Sequence, residues 1–155
     1  AVIAESTAQA QAIWRLRESL PEAQKPEGAS IKHDVSVPIS EIPRLIAEGT
    51  EAIAAMIPGV REVPFGHVGD GNIHFNFSRP LDMDDAEFMS RAHDVHHVIH
   101  DIVHKLEGSI SAEHGLGRHK REAIKRYKDP AALDLMTGIK DLIDPNGIMN
   151  PGKVV

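Results

Sequence analysis

The chain has 155 residues and a mass of 16.9 kDa, enough for one domain with a real core and too little for two comfortable ones. Lys and Arg number 17 against 23 Asp and Glu, a formal charge of −6, which argues against nucleic-acid binding because phosphate contacts need a basic face. Cys is absent, and that excludes disulfides, thiolate catalysis, Cys-ligated zinc and iron–sulfur clusters.

The chain opens at Ala1 rather than Met, directly into a helical pattern at Val2 and Ile3, as a fragment or processed product does. Residues 2–20 read as a helix with Ile13, Leu16 and Leu20 on one face and Trp14 beside it. The polar, Pro- and Gly-containing stretch from Pro21 to Ser30 reads as a loop. Ile31 to Val37 alternates, with Ile31, His33, Val35 and Val37 on one face and Lys32, Asp34 and Ser36 on the other, which predicts a strand. Ser40 is the expected N-cap of a helix to Met56, with Pro43 tolerated in its first turn. Its stripe is Ile42, Leu45, Ile46, Ile53 and Ile57.

Strands are then expected over residues 60–68 and 72–78, joined as a hairpin through Gly69-Asp70-Gly71. A long helix follows from Asp82–Asp85 to Leu106, ended by Gly108. Ser109 to Ala112 can form a short strand, and Gly115-Leu116-Gly117 a turn. Helices are expected near Lys120–Arg126 and Ala131–Ile143, with a turn at Asp144-Pro145-Asn146-Gly147. Pro151 to Val155 reads as a natural stop. This order predicts an α+β fold, an antiparallel sheet with helices mainly on one face, ferredoxin-like. No segment approaches the roughly 18 apolar residues of a membrane span, and no signal-peptide pattern is visible.

Ten His in a chain without Cys is the compositional anomaly. A metal site here must use imidazole nitrogen and carboxylate oxygen. In His67-Val68-Gly69-Asp70-Gly71-Asn72-Ile73-His74, two His flank a tight turn. Placed on the two strands of a hairpin, they can converge on one ion; equally, the glycines can serve the turn alone. In Ser111-Ala112-Glu113-His114-Gly115-Leu116-Gly117, Glu113 could complete a His-His-Glu set suited to zinc or manganese, and His114 could act as a general base. Read alone, that segment is first a surface loop. The helix bearing His93, His96, His97, His100 and His104 holds i,i+4 pairs, but Val95, Val98, Ile99, Ile102 and Val103 claim its buried face. The His are therefore expected mostly on its solvated side. Arg17 and Lys32 can each bind a carboxylate and, taken alone, read first as solvated charges.

Together, Trp14–Glu18, Ile31–Pro38, Gly66–His74, Ser109–Gly117 and Asp144–Lys153 resemble the C-terminal domain of FAD-linked oxidases, flavoproteins of the vanillyl-alcohol-oxidase type. Members include D-lactate dehydrogenases, the FAD subunit of glycolate oxidase and D-2-hydroxyglutarate dehydrogenase. The motifs fall in the family's order along the whole chain. The resemblance implies that residues 1–155 are a substrate- and metal-binding domain, with the FAD-binding domain N-terminal to it and outside this chain.

It further implies His67, His74 and Glu113 as metal ligands, Arg17, Lys32 and Asn76 as substrate contacts, and His114 as catalytic base. Asn72, Asn150 and Lys153 correspond to flavin-proximal segments. Some relatives place a substrate-contacting Thr at Pro21, a hydroxyl that Pro lacks. The implied activity is oxidation of a D-2-hydroxy acid to the 2-oxo acid, with FAD and a divalent zinc or manganese ion. The implied partners are that small acid, the FAD-binding domain, a downstream electron acceptor and, through apolar surface left exposed, a second copy. The implied location is cytoplasmic, with membrane contact only through the acceptor. The competing reading is a non-enzymatic histidine-rich metal-binding or interaction domain.

Overall fold

A computed structural model describes residues 2–155. The elements are α1 (Thr7–Ala23), β1 (Ser30–Ile31), β2 (Asp34–Ser36), α2 (Ile42–Met56), β3 (Arg61–His67), β4 (Asn72–Ser78), α3 (Asp85–Ser90), α4 (Ala92–Lys105), α5 (Arg121–Tyr127) and α6 (Pro130–Ile143). The sheet is antiparallel and centred on β4, with β3 along one side and β1 and β2 along the other. The fold is α+β, as the sequence predicts.

The strand expected over Ile31–Val37 is two short segments in one register. Ile31 lies opposite Phe77 and Asp34 opposite His74, and the Phe75 N–H still donates to the His33 carbonyl at 3.1 Å across the interruption. The expected hairpin is present, with His67 opposite Asn72 and Phe65 opposite His74. Gly71 makes its corner at φ +72°, where a Cβ would collide with the Val37 carbonyl.

Alternation along β4 separates two faces. Ile73, Phe75 and Phe77 point into the core against Leu45 and Ile53 of α2, Phe88 of α3 and Val95, Ile99 and Val103 of α4. Burying each large apolar side chain contributes about 1.5–3 kcal/mol. Gly49 lets α2 approach Phe75, whose ring a Cβ there would strike. The opposite face carries His74 and Asn76, with Asp34 and Phe65 alongside His74.

Several boundaries differ from expectation. The N-terminal helix starts at Thr7, where the Ser6 hydroxyl accepts from the Gln9 N–H at 3.3 Å; Val2 and Ile3 lie exposed before it. It then runs through Pro21 to Ala23. Near a helix end the missing N–H removes one bond from a turn whose neighbours still hold. The α1 stripe covers no core, since Ile13 and Leu16 are exposed. Ser40 caps nothing: a 3-10 turn over Ile39–Glu41 leads into α2. The long helix is split at Arg91, and Asp84 caps its first part by accepting from the Ala86 and Glu87 N–H groups. The Ser109–Ala112 strand is reduced to one bridge, Ser109 with Ser36. No helix among the described residues is long and apolar enough to cross a membrane.

Candidate active site

The polar face of the sheet opens into a cleft of about 520 Å³. The strands supply Asp34, Phe65, His74 and Asn76 to its wall, the break between β1 and β2 supplies Lys32 and His33, and the 113–120 segment closes it with Glu113, His114 and Lys120. Pro21 and Gln24, at the end of α1, form the rim, where the Asn76 amide donates to Gln24 Oε1 at 3.1 Å.

At the β3–β4 corner, Glu113 faces two imidazoles. Its Oε1 lies 3.3 Å from His67 Nε2 and its Oε2 3.8 Å from His74 Nε2. The Asn72 amide donates to Oε1 and steadies the carboxylate. Glu113, distant in sequence from the β3–β4 hairpin, is thus brought to both His67 and His74. His74 and His114 stack with ring centroids 5.7 Å apart.

Behind them sits Asp34, a buried residue that the sequence reading left unassigned. Its Oδ2 accepts three consecutive backbone N–H groups, from Ala112 at 3.2 Å, Glu113 at 2.9 Å and His114 at 2.8 Å. Burial alone would raise this carboxyl, but the His114 and Glu113 N–H bonds outweigh it and hold Asp34 below the usual carboxylate range. Oδ1 is buried without a hydrogen-bond partner, 3.9 Å from His74 Nδ1. Among the described residues, Asp34, His74 and His114 are the one group of three ligand-type side chains whose atoms all converge. His74 itself is held below the ordinary imidazole range by burial, against the pull of Glu113 and Asp34.

Cations surround the cleft. Arg17 lies over the Phe65 ring at 5.1 Å, which brings α1 to the same face. Lys32 is exposed on the wall and makes no ion pair among those formed by the described residues. Lys120, also missed from sequence, donates to the Ile110 carbonyl at 2.6 Å; burial lowers its pKa. The C-terminal tail returns here: the Val154 N–H donates to the Gly117 carbonyl at 2.8 Å, and Lys153 lines a neighbouring hollow with Arg118 and His119. Asn150 sits on that tail at φ +45°. Asn72 points its amide at Glu113 and is buried.

The His-rich helix corrects one expectation. His100 is 6% exposed and His96 is half-buried, so the two do not occupy a solvated face. They pack on His33, whose Nδ1–H donates to the Phe75 carbonyl at 2.8 Å and whose Nε2 lies 3.0 Å from His96 Nδ1.

A family model described as "FAD linked oxidases, C-terminal domain" matches residues 1–154. The chain belongs to this family. It is 39% identical over 153 residues to a D-2-hydroxyglutarate dehydrogenase of Stutzerimonas stutzeri, covering 99% of this chain and 33% of the relative. It is 39% identical over 157 residues to the mitochondrial D-2-hydroxyglutarate dehydrogenase of Arabidopsis thaliana, covering 99% and 26%. A D-2-hydroxyglutarate–pyruvate transhydrogenase of Saccharomyces cerevisiae is 33% identical over 162 residues, covering 99% and 32%. The chain therefore spans between a quarter and a third of the length of these curated relatives.

Proposed function

We propose that this chain is the substrate- and metal-binding part of an FAD-dependent dehydrogenase that oxidises a D-2-hydroxy acid, of the 2-hydroxyglutarate, lactate or glycolate type, to its 2-oxo acid. The observation that carries the reading is Glu113, whose two oxygens each face an imidazole at the end of a cleft flanked by Arg17 and Lys32. The relatives named for D-2-hydroxyglutarate support a dicarboxylate; Pro21 on the rim offers no hydroxyl to it.

The donor set fits a divalent cation. Nitrogen and carboxylate oxygen suit zinc or manganese, and Glu113 is open to solvent, so positions would remain for substrate. His67, His74 and Glu113 would hold the ion, which when bound would lower the pKa of a hydroxyl on it. FAD, when bound, would accept the hydride.

The chain's own residues do the rest. Arg17 and Lys32 neutralise and orient the substrate carboxylate, and Asn76 offers its amide to the same cleft. His114, 3.6 Å from Asp34 through Nδ1, takes the substrate hydroxyl proton. Asn72, Asn150 and Lys153 belong on the flavin side of this arrangement.

The FAD-binding domain of the same protein is the proposed partner, with an electron acceptor beyond it. Apolar side chains on α1 and α6, including Trp14, Leu16, Leu135 and Leu142, lie exposed and suit such a domain or a second copy. A cytoplasmic location, with membrane contact only through the acceptor, remains part of this proposal. The test is reconstitution. The 155-residue chain alone should bind little FAD and oxidise no 2-hydroxy acid, whereas the chain joined to an FAD-binding domain of this family should turn over. Turnover by the chain alone would overturn the division of labour.

A further inference from the structure

We infer that Asp34 is a positioning residue, which holds His74 as its Nδ1–H tautomer and so aims the Nε2 lone pair at the Glu113 side of the corner. The inference rests on the metal reading above for its consequence, but not for its geometry.

The two oxygens of Asp34 have different duties. Oδ2 is filled by the N–H groups of Ala112, Glu113 and His114, so one atom sets the backbone of the turn that carries Glu113 and His114. Oδ1 is buried, has no hydrogen-bond partner, and lies 3.9 Å from His74 Nδ1. That exceeds a hydrogen bond, so the coupling is electrostatic until the site tightens. A neutral imidazole carries one N–H. Glu113 pulls that proton towards Nε2 from 3.8 Å, but Glu113 is 44% exposed through its side chain and Asp34 only 3%. The buried charge acts through the lower dielectric, and Asn72 already donates to Glu113. The proton therefore belongs on Nδ1. Carboxylate partners of this kind fix the tautomer of metal-bound imidazoles generally.

Asp34→Asn reverses the arrangement without changing its shape. The three N–H donors keep the amide oxygen at the Oδ2 position and force the NH2 to the Oδ1 position. The NH2 then presents its N–H dipole to His74 Nδ1, which favours the ring proton on Nε2. The test is 15N chemical shifts of the imidazoles in the metal-free 155-residue chain at about pH 8, above the ordinary imidazole range, with zinc titration by calorimetry beside it. Wild type should show His74 mainly as the Nδ1–H form. Asp34→Asn should show the Nε2–H form and bind zinc about 10- to 100-fold more weakly.

A wild-type His74 that is mainly Nε2–H overturns the inference, whether or not the variant folds. So does a folded variant that loses zinc affinity with the tautomer unmoved, since Asp34 would then act through the turn alone. If wild type binds no zinc, the metal reading fails, while the tautomer measurement still decides the inference.

Discussion

Two histidine clusters share this small domain, one at the β3–β4 corner and one between His33 and α4, and they differ in what their ring nitrogens are doing. In the core-side cluster several ring nitrogens, those of His33 and Nδ1 of His96, are committed to hydrogen bonds. His33 Nδ1–H must donate to the Phe75 carbonyl, which leaves Nε2 to accept from His96. On the outer turn of α4, Arg126 donates to His97 Nδ1, so His97 Nε2–H donates to His93 Nε2, and His93 Nδ1–H turns to Asp94. In the cleft, the rings of His67, His74 and His114 face carboxylates at 3.3–3.9 Å without spending their nitrogens on hydrogen bonds. The proposed metal site follows from free lone pairs beside a carboxylate rather than from histidine count.

Removing a cleft ligand should separate the two clusters most strongly. Glu113→Ala or His67→Ala should lower zinc affinity by about 10³-fold, roughly 4 kcal/mol, measured by competition with a chelator. Replacing His93, His97 and His100 together should change it by less than about threefold. The reverse pattern would support a histidine-rich storage domain.

The next effect belongs to the core-side cluster and is a pH dependence. Burial, reinforced by His96, lowers His33 to about 3; burial, again with His96, lowers His100 to about 4. Both are neutral in the folded chain and take up protons near 6.5 when unfolded. Their contribution to stability is complete above pH 6.5 and is lost as pH falls from there towards 4 and 3. Denaturant unfolding should show a loss on the order of 2–4 kcal/mol across that window. His100→Phe should flatten the slope at little cost near pH 8.

A smaller effect concerns the cleft's cations. In an enzyme reconstituted with its FAD-binding domain, Lys32→Ala should raise KM about 10- to 50-fold, some 1.4–2.3 kcal/mol, more than it lowers kcat. Lys32→Arg should recover part of the loss. The smallest is Ser40→Ala, which should shift stability by less than about 0.5 kcal/mol because Ser40 caps no helix.

What was legible in the sequence was local. Alternation placed β3 and β4, the Gly-Asp-Gly corner joined them, and both flanking His face Glu113. The His33 side of the Ile31–Val37 alternation also proved to be the buried one. What stayed hidden depended on register between distant segments. Asp34 read as one polar residue of a half-exposed strand; only its position opposite His74, and the return of residues 112–114 over it, make it a buried acceptor. The periodic alternation did put Asp34 on the Lys32 side, and that was its one signal. His96 and His100 flank the apolar stripe of α4, where periodicity alone cannot say that His33 waits across the interface. Pro21 inside α1 defeated a local rule because one missing bond near a helix end costs little.

On the proposed function, the open, carboxylate-bearing cluster holds the metal and the α4 histidines do not. Anomalous scattering from crystals grown with one equivalent of zinc tests it most directly. A single strong peak bounded by His67, His74 and Glu113 is expected. A peak among His93, His96, His97 and His100, or no peak at the β3–β4 corner, would contradict it.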